Sequence, residues 1–227
     1  AGGGIYTNNS TIYLENCFIK NNTTKGGLGT SPIRTGQGGN GMGGGIYNDN
    51  STLILINDVI TNNVAIKGEG YHDDYWWKYG TPGLGIGGAI YGGDNSSKIY
   101  NNTIYANLAD NTVGGVYNFL GEIKNSIFWK NSFQQIDNST TPTFSCIQDW
   151  TSGGEGNISL DPQFVDAVNG DYHLRSTSPC IDAGGLVDLL LDIEGNRRGI
   201  KGTTEQRGDG SNYDIGAYEY NPSKSAV

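Results

Sequence analysis

The side chains best suited by type to do chemistry stand together in Tyr71-His72-Asp73-Asp74-Tyr75-Trp76-Trp77-Lys78-Tyr79, which holds half of the chain's four Trp and one of its two His. Adjacent aromatics among carboxylates suit a sugar-binding surface, because ring faces cover C–H groups while carboxylates accept from hydroxyls. The binding residues expected from the sequence are Tyr71, His72, Asp73, Asp74, Tyr75, Trp76, Trp77 and Tyr79. The same rings suit a protein contact, and the plainer alternative is a loop that folds its aromatics onto the protein's own side. His72, Asp73 and Asp74 are consecutive, and consecutive side chains seldom converge on one ion, so no metal is assigned to them.

Two further groups have chemical potential. Asp188, Asp192, Glu194 and Asn196 form an oxygen-rich run that could hold calcium, although it lacks the full D-x-D-x-D-G-x5-E spacing. No other cofactor is expected. Cys17, Cys146 and Cys180 lie far apart with no C-x-x-C pair, which removes the usual zinc and redox readings. For Cys146 and Cys180, a disulfide and two separately buried thiols both remain open.

An internal repeat must position these residues. Gly3-Gly4-Ile5-Tyr6, Gly44-Gly45-Ile46-Tyr47, Gly88-Ala89-Ile90-Tyr91 and Gly114-Gly115-Val116-Tyr117 are four copies of one step, and each is followed by an Asn pair: Asn16/Asn22, Asn57/Asn63, Asn101/Asn107 and Asn125/Asn131. An aliphatic precedes the first Asn (Leu14, Leu55, Ile99, Ile123) and a bulky apolar residue follows it (Ile19, Ile60, Ile104, Phe128). Tyr91 and Tyr117 are 26 positions apart, too few for a βαβ unit but enough for three short strands and three turns. One copy is therefore one coil of an all-β right-handed parallel β-helix, a solenoid in which like residues stack in columns.

The columns carry their own expectations. Asn tolerates left-handed backbone at corners, and its amide can bond the equivalent amide one coil on. Tyr6, Tyr47, Tyr91 and Tyr117 should point outward as an aromatic stack. Lys98 and Glu122 share a column and should form a surface ion pair, while Cys17 should be a partly buried filler. The segments from Asn22 to Tyr47 and from Asn63 to Tyr91 are far longer than that from Asn107 to Tyr117, which places two insertions at one corner. The first, Gly26 to Gly39, reads as a mobile loop, and the second carries the aromatic cluster.

A polysaccharide lyase needs a Lys or Arg base beside carboxylates that hold calcium or neutralise a uronate. The column Lys20, Thr61, Tyr105, Trp129 and the column Glu15, Ile56, Tyr100, Lys124 supply no such set, leaving only Arg34 and Lys67 near the insertions. No catalytic residue is assigned, and a polysaccharide lyase or a glycan-binding accessory module acting on acidic polysaccharide is kept as the alternative to a structural or adhesive protein. The net charge of -9 repels phosphate backbones, which argues against nucleic acid, and no apolar run is long enough to span a membrane. The opening at Ala1-Gly2-Gly3 falls inside a repeat, so further coils upstream are expected; an open coil end would also let copies stack head to tail by strand addition.

The later text runs Asn157-Ile158-Ser159-Leu160-Asp161-Pro162-Gln163-Phe164, Gly170-Asp171-Tyr172-His173-Leu174, Ser178-Pro179-Cys180-Ile181-Asp182-Ala183-Gly184, Asp192-Ile193-Glu194-Gly195-Asn196-Arg197-Arg198 and Asp214-Ile215-Gly216-Ala217-Tyr218-Glu219-Tyr220. Together with the coils, this series resembles the C-terminal region of bacterial right-handed β-helix proteins of the choice-of-anchor Q domain type. The resemblance implies a pectate-lyase-like solenoid, export to the outside or the cell surface, and no assigned reaction. In it, Arg198 matches the family's basic position and is expected to bridge to Asp214 or Glu219. The expected organisation is thus β-helix coils over 1–148 and an irregular capping region over 149–227. The expected function is an extracellular structural or adhesive solenoid that binds a glycan, a cell-surface protein or its own copies.

Overall fold

The computed structural model describes residues 2–30, 36–73 and 78–224. Among the described residues all regular structure is strand and turn, arranged as a parallel β-helix. The first sheet stacks Ile5–Asn8, Ile46–Asp49, Ile90–Gly93, Val116–Phe119 and Ile136–Asp137, all parallel. The second stacks Thr11–Glu15, Thr52–Ile56, Lys98–Tyr100 and Glu122–Lys124. The third stacks Phe18–Lys20, Val59–Thr61, Thr103–Tyr105, Ile127–Trp129 and Cys146–Ile147. A short fourth sheet joins Thr23–Lys25, Val64–Ile66 and Leu108–Ala109.

The repeat sets this register. Ile19, Ile60, Ile104 and Phe128 are direct partners on successive coils, as are Leu14, Leu55, Ile99 and Ile123. These columns face inward and form one core with Ile46, Ile90, Val116 and Phe119. Outside the first sheet, Tyr6, Tyr47, Tyr91 and Tyr117 stack with ring centroids 5.1 to 5.6 Å apart.

The two Asn columns differ in role. Asn16, Asn57, Asn101 and Asn125 adopt left-handed backbone (φ 52 to 56°), which Asn tolerates with little strain. At the next corner the left-handed residue is the one before the repeat Asn: Asn21, Asn62, Ala106 or Lys130. The repeat Asn supplies an amide ladder instead, with Asn22 Nδ2 donating to Asn63 Oδ1, Asn63 to Asn107, Asn107 to Asn131, each at 2.9 Å, and Asn131 to Gln135. A third ladder runs beside the first corner, where Cys17 N, Asp58 N, Asn102 N and Ser126 N donate to the side chains of Asp58, Asn102, Ser126 and Ser145. Each such bond contributes about 1 kcal/mol net, and far more is lost if one buried partner is removed.

The expected Lys98–Glu122 ion pair is absent among the described residues. The register is as expected, but Glu122 accepts from the Tyr100 hydroxyl at 2.5 Å, and Lys98 Nζ lies over the Tyr100 ring. An aromatic neighbour offers the ammonium a face without the cost of stripping a carboxylate of water.

Residues after Asp149 do two things. Trp150 packs against the core where the last coil ends, and Ile158 continues the third sheet through a parallel bridge to Cys146. The chain then turns back along the outside of the third sheet. Its antiparallel hairpin, Phe164–Asp166 with Asp171–Leu174, lays Tyr172 on Val59 and Tyr105, and the Tyr172 hydroxyl is 3.0 Å from Thr61 Oγ1. Further along, Ala217 N donates to Thr103 Oγ1, Asn101 Nδ2 to Asp214 O and Asn57 Nδ2 to Leu191 O. The first Asn column therefore serves mainly to receive this returning segment, with Asn125 to Asn101 as its one amide-to-amide bond among the described residues.

Candidate functional site

Docking of the returning segment creates a groove. Its floor is Tyr105 and Trp129 from the third sheet, and its wall is residues 161–168, where Phe164 meets Tyr105 edge-on at 5.8 Å. The cavity measures about 400 Å³. Trp129 is half-buried, and it is followed by the exposed Lys130, whose Nζ sits 5.7 Å from the Tyr105 ring centroid. Asp161, Gln163 and Arg175 supply polar groups around these rings. Arg175 is fixed by donating from Nε to Phe164 O and from Nη2 to Val165 O, and Gln163 Oε1 accepts from Thr177. A half-buried indole in a cavity that polar side chains also line offers an apolar face beside hydrogen-bonding groups.

Val165 and Arg175 also line a second cavity of about 670 Å³ that contains His173. His173 Nδ1 lies 2.7 Å from Asp171 Oδ1 and Nε2 lies 3.1 Å from Glu194 Oε2, while its ring packs on Tyr218 at 4.3 Å. Partial burial pulls the imidazole's pKa down, but hydrogen bonds to Asp171 and Glu194 and their charges outweigh it, and the net direction is up. Asp171 is itself held below its ordinary value, because the His173 bonds and charge overcome its desolvation. The triad bridges the hairpin to the 192–196 turn. It reads as a hydrogen-bonded clasp between the two.

The aromatic cluster expected to bind falls elsewhere. Asp74, Tyr75, Trp76 and Trp77 lie outside the described residues. His72–Asp73 pairs antiparallel with Lys78–Tyr79, in the register His72 to Tyr79 and Asp73 to Lys78. Tyr71 is half-buried and His72 exposed. Both insertions do arise at one corner, but the first is not a separate loop. Gly39 N donates to Gly27 O, Gly29 N to Glu69 O, Gly68 N to Gly39 O, Tyr71 N to Gly36 O, Gly38 N to Thr81 O and Gly83 N to Gly68 O. Four extended segments are thereby bonded in several directions at once, which requires backbones closer than any side chain permits. A Cβ on Gly68 would collide with Gly27 O, and one on Gly26 with Gly39 O.

Of the oxygen-rich run considered for calcium, Asp192 is buried and accepts from Glu194 N, Asn196 N, Asn196 Nδ2 and Glu219 N, so both carboxylate oxygens organise the local turn. Among the described residues no group of three or more His, Cys, Asp or Glu is placed to hold a metal. Arg198 bridges to Glu219 at 3.2 Å with both side chains fully buried, and also donates to Asn57, Gly216 O and Ala217 O. Burial raises both Asp214 and Glu219, and the nearby Glu219 charge raises Asp214 further. Arg34 lies outside the described residues, and Lys67 is half-buried with its backbone N on Asp110. No described helix is long and apolar enough to cross a membrane.

Trp129, Lys130 and His173 are not among the binding residues that the sequence singles out. The available signal is the run of apolar residues at consecutive positions in Val59-Ile60-Thr61, Thr103-Ile104-Tyr105 and Ile127-Phe128-Trp129, which marks strands covered on both faces. Comparison with protein-family models, with curated proteins and with solved structures gives no match.

Proposed function

We propose that this β-helix is an extracellular or cell-surface glycan-binding protein, and that the sugar ring lies on Trp129 in the groove between the third sheet and the returning segment. The observation that carries the reading is the half-buried indole flanked by Lys130, Arg175, Asp161 and Gln163 in a preformed cavity. Such sites are mostly aromatic, largely preformed and furnished with a few orienting polar groups. The Tyr71–Tyr79 insertion belongs to the same proposal as a second contact. The resemblance to choice-of-anchor Q proteins supports export, since members of that group are surface or secreted solenoids.

A glycan-array screen of the purified chain, repeated with Trp129→Ala, tests the proposal. Binding to a defined glycan class that falls at least ten-fold in the variant supports it. Undiminished binding in Trp129→Ala moves the site elsewhere, and release of unsaturated uronic products from pectin or alginate would replace binding by lyase action.

A further inference from the structure

We propose that Cys146 and Cys180 form a disulfide that closes during folding and fastens the returning segment to the last coil of the solenoid. Cys146 lies on the last strand of the third sheet, paired with Ile127, and Cys180 lies in the turn that follows the hairpin, where its carbonyl accepts from Ile215 N. Both are fully buried in one cluster with Ile127, Leu174, Ile181, Ala183 and Ile215. In this structure both are free thiols; Cys146 Sγ donates to Leu160 O at 3.2 Å, and the Cys146 thiol is close enough to help raise the pKa of Cys180. Cys17 is on the first coil, bonded through Sγ to Glu15 O, and is no competitor. The spacing of the cysteines leaves a disulfide and two separate thiols equally open; the fold buries both thiols in one cluster.

The oxidant required is a small-molecule disulfide. One cysteine thiolate attacks it, forming a mixed disulfide and releasing one small thiol. The second thiolate attacks the protein-side sulfur of that intermediate, forming the Cys146–Cys180 bond and releasing the second small thiol. Two electrons pass to the oxidant, and the two cysteine protons leave on the released thiols. Burial raises the Cys180 thiol well above its ordinary range, and the neighbouring Cys146 raises it further, which disfavours the attacking thiolate once the segment has docked. The bond therefore forms before docking is complete, and afterwards the packed wall shields it from reductant.

The test is oxidative refolding. The chain is unfolded and reduced, refolded in a buffer of glutathione and glutathione disulfide, then denatured, alkylated and digested for peptide mass mapping. The expected result is a linked Cys146–Cys180 peptide pair, lighter by two hydrogen atoms than the reduced peptides, with Cys17 alkylated alone. Folded, reduced protein placed in the same buffer should oxidise at least ten-fold more slowly than refolding protein, and the oxidised form should melt higher than the reduced form. Alkylation of all three cysteines after refolding, a link through Cys17, equal oxidation rates in the two experiments, or a melting temperature not raised by the bond would each overturn the proposal.

Discussion

Arg198 Nη2 donates to Asn57 Oδ1 at 2.8 Å, joining the returning segment to the second coil. The same guanidinium bridges to Glu219 and caps the carbonyls of Gly216 and Ala217, so one buried cation holds both partners. Arg198→Ala leaves Glu219 buried beside Asp214 without its counter-charge, which typically costs about 3 to 5 kcal/mol. Chemical denaturation should show a loss of that size, and amide exchange should rise first at Ala217 and Asp214 rather than in the coil core.

Asp58 should limit stability at alkaline pH. Burial pushes its carboxyl up to about 7, and Oδ2 has no hydrogen-bond partner. A folded pKa above the unfolded value of about 3.8 means that its contribution is fully present below that value and is lost as pH rises through 7, on the order of 4 kcal/mol in all. In the same column, Asn102 satisfies its amide by donating to Leu55 O and Tyr100 O. Asp58→Asn should therefore raise the melting temperature at pH 8 and change it little at pH 4; thermal scans across that range check both.

The coils were legible from the sequence because the Gly-Gly-Ile-Tyr step and the Asn pair fix a register that stacking enforces at every rung. Ile60 against Ile104 and Tyr47 against Tyr91 follow from spacing alone. The path of the returning segment was not legible, since its contacts, such as Tyr172 with Thr61 and Arg198 with Asn57, join residues that no period connects. The groove depends on that path. Trp129 sits in a column with Lys20, Thr61 and Tyr105, whose mixed polarity hides that part of it is covered and part left open.

His173 gives a second, separable pH dependence. Its pKa is raised in the folded state, so the clasp to Asp171 and Glu194 is fully formed below about pH 6.5 and is lost as pH rises through the folded value. The residue is partly exposed, and the effect should be confined to the hairpin. Amide exchange of Asp171–Leu174 should quicken on raising the pH, and His173→Gln should remove that change while leaving the core strands as protected as before.

The glycine-packed insertions make a paired prediction. Gly68→Ala forces a methyl into the Gly27 carbonyl, whereas Gly27→Ala meets open space. Limited proteolysis should cleave Gly68→Ala within 26–40 or 67–85 faster than the parent chain. Gly27→Ala should be cut at the parent rate.

Glycan binding at Trp129 is tested most directly by the indole N–H signals of ¹⁵N-labelled protein during titration with an oligosaccharide chosen from the array. The chain has four Trp, and the Trp129 signal is assigned by its loss in Trp129→Phe. The predicted result is a saturable shift of the Trp129 signal, with Trp150, which closes the core, unmoved. A shift confined to Trp76 and Trp77, or none in the presence of a bound glycan, would contradict a binding groove on the third sheet.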